Sequence, residues 1–355
     1  MSLVALLRKE FHWSKRNVLV VLFLVVLIPV FFAGTSLLFQ DVLPRNVPVA
    51  VVAEDDSVTD EELETVAQTI DSFTNPRVAG SRQAAERQLE RESVYGIVTV
   101  PPDATTEGAE VQVTFTVDGS IVPFQSPSQV YQRLMEFYLD GLYDSDLTVE
   151  QRVDGERLDL NEYLFPTFLM AFAIFFAFTS VPYVFRREAA VMDRLRFETS
   201  LEAVVASKLV FLSALLAGPI IVFHVANVYY GYGIDSLDPA GLAVLVLTFL
   251  LLATFATTVM ILSRFGGVGT FVNLVVMLAL LALSALAFPL GFFSTVRTTI
   301  AGVLPTHYAM IIVRSMMLKD ASITTFLDWL AALVGLGLLS LLVLEGAIVR
   351  YRRSA

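Results

Sequence analysis

Histidine occurs three times, at His12, His224 and His307, and cysteine not at all. A metal centre, or a nucleophile with its base, needs such groups gathered within a few ångströms, and these three fall in separate regions of the chain. Asp328 and Glu345 stand near opposite ends of one apolar stretch and cannot share a catalytic centre. No GxxxxGK[ST] segment occurs, so the glycine-built nest and the lysine that cradle nucleotide phosphates are both missing. The expectation is a chain that is not an enzyme and that binds no metal or cofactor itself.

Three polar residues inside apolar stretches remain as candidates. Polar groups are costly in hydrocarbon and are functional there by default, which makes His224, Asn227 and Asn273 a candidate lining for a substrate path. The blander reading is a set of hydrogen bonds between helices. The richer candidate is the charged segment 186–209, RREAAVMDRLRFETSLEAVVASKL, in which Val191, Met192, Leu195 and Phe197 interrupt the charges. A loop that only met water would not need those apolar residues.

The elements that must position these residues follow from composition. Hydrophobic residues make up 55% of the 355, and the mean hydropathy is +0.68, values that place the chain in a bilayer. About 20 apolar residues are needed to cross the hydrocarbon core. Six stretches qualify, at 18–39, 163–185, 209–230, 240–262, 268–290 and 326–349.

Basic residues in short loops set the orientation. Arg8, Lys9, Lys15 and Arg16 precede the first stretch, five more lie in 186–208, Arg264 lies in a later loop, and Arg350, Arg352 and Arg353 form the tail. All belong on one side, so both termini are expected in the cytoplasm of a multi-pass cell-membrane protein. Arg297, Arg314 and Lys319 in the last outer segment dissent mildly.

The charge is unevenly placed: 40–160 holds 24 acidic and 8 basic residues, and the remainder 11 acidic and 16 basic. An acidic segment of that length outside the membrane repels nucleic acid and supports a soluble fold of its own. Strands are predicted at 47–53, 95–100 and 111–117 and helices at 60–73 and 81–92, with Ser126 or Ser128 capping a further helix through Tyr143. The predicted organisation is an amphipathic interfacial helix (1–17), a first span (18–39), an extracytoplasmic α/β domain (40–160), a five-span transmembrane domain (161–349) with a cytoplasmic loop at 186–208, and a basic tail (350–355). The fold class is thus a polytopic α-helical membrane protein of six transmembrane helices with an α/β domain inserted between the first two.

At Glu188, Asp193, Leu195 and Lys208 the sequence resembles the type-2 permease family of ATP-binding-cassette (ABC) exporters, whose loop after the second span has acidic, acidic-x-Leu and Lys landmarks. VPVAVVAEDDS with YGIVTVPPD, and LPTHYAMIIVRSMML before the last span, look like the same family's text. Ala190-Val191 and Ser200 depart from its usual Gly-Thr and Pro. The resemblance implies a permease subunit of an exporter whose ATPase-coupling loop includes Glu188, Asp193, Arg194, Leu195, Glu198 and Lys208. It implies ATP and Mg on a separate ATPase subunit, a second permease copy or paralogue, and 304–318 as an outer re-entrant or interfacial helix. The alternative is a membrane receptor or sensor that binds a ligand with 40–160; its longest cytoplasmic stretch, about twenty residues, is too short for an output domain, so it would signal through a partner.

Overall fold

A computed structural model describes residues 3–16, 18, 25–26, 46–102, 104, 110–143, 146–292 and 295–353. The stretch expected to form the first span, 18–39, lies almost wholly outside the described residues.

Helix α1 (Leu3–Arg16) is amphipathic and turns Leu6 and Glu10 inward. An α/β unit follows, with strands β1 (Val47–Ala53), β2 (Thr74–Val78), β3 (Gly96–Val100), β4 (Glu110–Asp118) and β5 (Asp146–Asp154), and helices α2 (Asp60–Ile70), α3 (Arg82–Glu90) and α4 (Val122–Tyr143). The sheet order is β2-β1-β3-β4-β5, parallel except between β3 and β4. Strand β1 is central and buried on both faces, which is why VPVAVVA reads as a continuous apolar run. Val47, Val49 and Val51 meet α2 and α4 on one face, while Ala50 and Val52 meet α3 on the other. Thr59 and Glu62 close a reciprocal capping box at the start of α2.

Two strands and one cap differ from the sequence reading. Edge strand β2 contains Pro76 and buries only Thr74, and β5 alternates charged with apolar residues, so neither carries a strong strand signal. Helix α4 begins at Val122 directly after the β4 turn, which places Ser126 and Ser128 inside it instead of at its cap. The Ser128 hydroxyl donates to the Gln125 carbonyl at 2.6 Å.

The remaining helices are α5 (Leu160–Glu198), α6 (Leu201–Leu215), α7 (Ala217–Tyr230), α8 (Pro239–Leu262), α9 (Gly267–Leu283), α10 (Thr295–Ala301), α11 (Pro305–Lys319) and α12 (Leu327–Arg353). Among the described residues, Leu160–Met192, Leu201–Tyr230, Pro239–Leu262 and Ile323–Arg353 are long and apolar enough to cross a membrane. The protein is therefore a polytopic helical membrane protein. The break between α6 and α7 falls at Leu216, three residues before Pro219, whose missing N–H removes a rung from the helical ladder. Gly218 is required beside it, because a Cβ there would come within 2.3 Å of Val25 Cγ1.

The fifth apolar stretch, expected to run to 290, is helical only to Leu283. Ala285 then takes a left-handed φ of 50°, and Ser284 bonds Thr306 at 2.6 Å, which turns the chain back into the bundle. Helix α11 is buried along most of its length, from Thr306 to Met317, and packs against α5 and α8. It is a core element and does not lie on the bundle's surface. Apolar faces of α7, α9 and α12, with Ile221, Phe271 and Leu342 among them, stay exposed, as lipid-facing helices require.

Candidate functional site

Position 200 separates α5 from α6, and a local reason is visible: the Ser200 hydroxyl accepts from the Ala203 amide at 3.2 Å and caps α6. The two helices run on either side of this break, and their side chains meet just above it. Lys208 Nζ on α6 lies 2.9 Å from Glu10 Oε1 on α1 and 2.8 Å from Glu188 Oε2 on α5. Lys9 Nζ lies 2.8 Å from Glu188 Oε1 and 3.5 Å from Glu10 Oε1.

Two lysines and two carboxylates thus form a neutral cluster that binds three elements together. The Lys208 side chain is 0% exposed, so its charge is tolerable only because two carboxylates flank it; removing one partner of a buried pair leaves an uncompensated charge. Aromatic contacts extend the joint. The Trp13 ring meets Tyr183 at 5.8 Å and lies under the Arg187 guanidinium at 4.7 Å. Phe185 stacks on Phe265 at 5.7 Å, Phe265 meets Tyr351, and Arg352 pairs with Glu202 at the start of α6. One end of the bundle is thereby assembled from α1, the end of α5, the start of α6, the turn after α8 and the end of α12.

Of the residues singled out in the sequence, Glu188 and Lys208 meet directly and face inward. Glu198 is exposed as the last residue of α5. Asp193, Arg194 and Leu195 belong to the final turns of α5, and their side chains lie outside the described set. His224 and Asn227 brace the α7–α8 connection: the His224 ring bonds the Ser236 hydroxyl at 2.9 Å, and the Asn227 amide donates to the Ile234 carbonyl at 2.8 Å. Asn273 donates to the Ala256 carbonyl at 3.2 Å, across α9 and α8. These three residues therefore serve two separate hydrogen-bond sets.

Sequence reasoning missed a second buried charge at the opposite end of α5. The Arg314 guanidinium on α11, 1% exposed, donates to both Glu92 oxygens at 2.9 and 2.8 Å. It also donates to Thr167 Oγ1 at 3.3 Å and to the Leu286 carbonyl, and it lies 4.4 Å from the Tyr163 ring centre. Glu92 follows α3 with a φ of 52°, a left-handed position that favours glycine after a helix. Arg91 adds an ion pair with Asp328 at 2.8 Å, and Lys319 pairs with Asp118 at 2.6 Å. Arg314 and Lys319, which disturbed the basic-residue count, are each matched by a carboxylate of the α/β unit.

A cleft of about 630 Å³ opens beside this joint, lined by Glu86, Glu90, Asp118, Asp154, Asp235 and Asp320 among others. Among the described residues, no group of three or more His, Asp or Glu side chains could hold a metal ion.

A family model described as "ABC-2 family transporter protein" matches residues 19–344. No curated protein and no solved structure matches the chain.

Proposed function

The chain belongs to the ABC-2 family of transporter proteins, and on that premise we propose that it is the transmembrane subunit of an exporter driven by a separate ATPase. ATP and Mg bind the partner, since this chain carries no phosphate-binding loop. A second copy or a paralogue completes the path through the membrane. The spans are the stretch 18–39, α5, the α6–α7 pair, α8, α9 and α12, with both termini in the cytoplasm and the α/β unit outside.

The observation that carries this reading is the Lys9, Glu10, Glu188 and Lys208 cluster. It clamps the two helices that bracket residues 186–208, the segment that resembles the family's ATPase contact. A push on the end of α5 passes through Glu188 to α6 and α1 without an intervening flexible joint. Nucleotide binding that closes the ATPase dimer then shifts the population of span arrangements. In this scheme Glu188 and Lys208 are positioning residues, and Asp193, Arg194, Leu195 and Glu198 belong to the segment that engages the partner.

The test is to co-express the chain with the ATPase encoded beside it, purify the pair in lipid and compare ATP hydrolysis for the native chain and Asp193→Arg/Leu195→Asp. The expected result is a copurifying ATPase whose coupling falls at least tenfold in the variant. A chain that retains no ATPase under any lipid condition overturns the reading.

A further inference from the structure

We infer that the outward face of α1 is a binding surface for anionic phospholipid headgroups of the inner leaflet, which ties the lipid charge around the protein to the position of the 186–208 segment. The inference rests on the cytoplasmic placement of the N-terminus proposed above.

Helix α1 has two faces with different duties. Leu6 and Glu10, one turn apart, point into the protein, where Glu10 joins the cluster with Lys208. Val4, Arg8, Phe11 and Lys15 lie on the other side at helical spacing, and all are exposed. Val4 is 73% exposed and Phe11 55%, large values for apolar side chains in a helix already packed on one face. Lys15 Nζ sits 4.7 Å from the centre of the Phe11 ring. Glu10, the only acidic residue of α1, is buried away from this face, so the only charges α1 presents on the outward stripe are positive.

Apolar and cationic side chains alternating along one stripe match the boundary between acyl chains and phosphates, where the former enter and the latter stay at the headgroups. A protein partner that matched the cations alone would leave Val4 and Phe11 in water. Arg186 on α5 and Arg350 and Arg353 on α12 are also exposed at the same end of the bundle, along with the carboxylates Glu198 and Glu345, so exposed cations are not confined to α1. A cation near a membrane surface favours anionic lipid by roughly fivefold. Because Glu10 is joined to Lys208 and through it to Glu188, lipid bound to one face of α1 is separated from α5 by two ion pairs.

The experiment uses the full chain alone, without an ATPase, so that its failure is distinct from failure of the exporter reading. The chain is reconstituted in phosphatidylcholine vesicles containing 20% of a lipid brominated near the top of its acyl chains, either phosphatidylglycerol or phosphatidylcholine. Tryptophan quenching is then compared between the native chain and Arg8→Gln/Lys15→Gln/Arg16→Gln. Trp329 is common to both chains and cancels, so the difference reports Trp13. The expected result is several-fold stronger quenching by the brominated phosphatidylglycerol in the native chain, lost in the triple variant and in high salt, and kept in Arg8→Lys. The substituted residues are exposed, and an unchanged thermal unfolding midpoint in the triple variant checks that its fold is kept. Equal quenching of the native chain by both lipids overturns the proposal.

Discussion

The two buried charge clusters sit at opposite ends of α5, its outer and inner ends in the topology proposed above, and are built differently. At the outer end, one arginine fork grips one carboxylate, a carbonyl, a hydroxyl and an aromatic face, and both charged side chains are at most 2% exposed. At the other end, two lysines share two carboxylates, and Lys9 is 34% and Glu188 16% exposed. A planar guanidinium bonded through both terminal nitrogens has one good geometry, whereas an ammonium on a flexible stem can exchange partners. The outer cluster is suited to hold two units in a fixed relation. The inner one is suited to remain bonded while its helices move.

The largest effect should come from breaking the outer clamp. Arg314→Met strands the Glu92 carboxylate in an enclosed site and should destabilise the purified chain by about 3–5 kcal/mol, with the Glu92→Leu/Arg314→Met pair recovering much of that loss in thermal unfolding. A double variant as unstable as the sum of its singles would remove the distinction between the ends. Lys208→Met should cost less, about 1–3 kcal/mol, because Lys9 still reaches both carboxylates and Glu188 has some access to water. Its signature should instead be a loss of ATPase coupling; full coupling in a chain of lowered stability would make the inner cluster a simple staple. The smallest change is expected from Asp328→Asn. That carboxylate is 58% exposed, so the same thermal assay should register under about 1 kcal/mol, and a larger value would mean that the rim of the outer joint matters as much as its centre.

How far the sequence could be read depended on whether a signal was local. The runs that became β1, β3, α5, α8 and α12 declare themselves, since continuous apolar text has few other solutions. Strands β2 and β5 do not, because a sheet edge facing water imposes little on its side chains. Asp193 and Leu195 were recognisable only by resemblance. Arg314 entered the sequence reading only as a basic residue that dissented from the orientation count; its partner is 222 residues away in sequence, and a pairing of that separation leaves no trace in composition or periodicity. Likewise the resemblance to the family identified Glu188 and Lys208 without indicating that they would meet each other and Glu10.

Helix α5 carries a residue of each cluster, Thr167 near one end and Glu188 near the other. The 21 residue steps from one to the other span about 32 Å of helix axis, so a swing of about 5° about the outer clamp displaces Glu188 by about 3 Å. That is comparable to the length of the ion pairs it makes. As a lever pivoted at its outer end, α5 would thus convert a small angular change into a displacement that tests the two contacts Glu188 holds at once, with Lys9 and with Lys208.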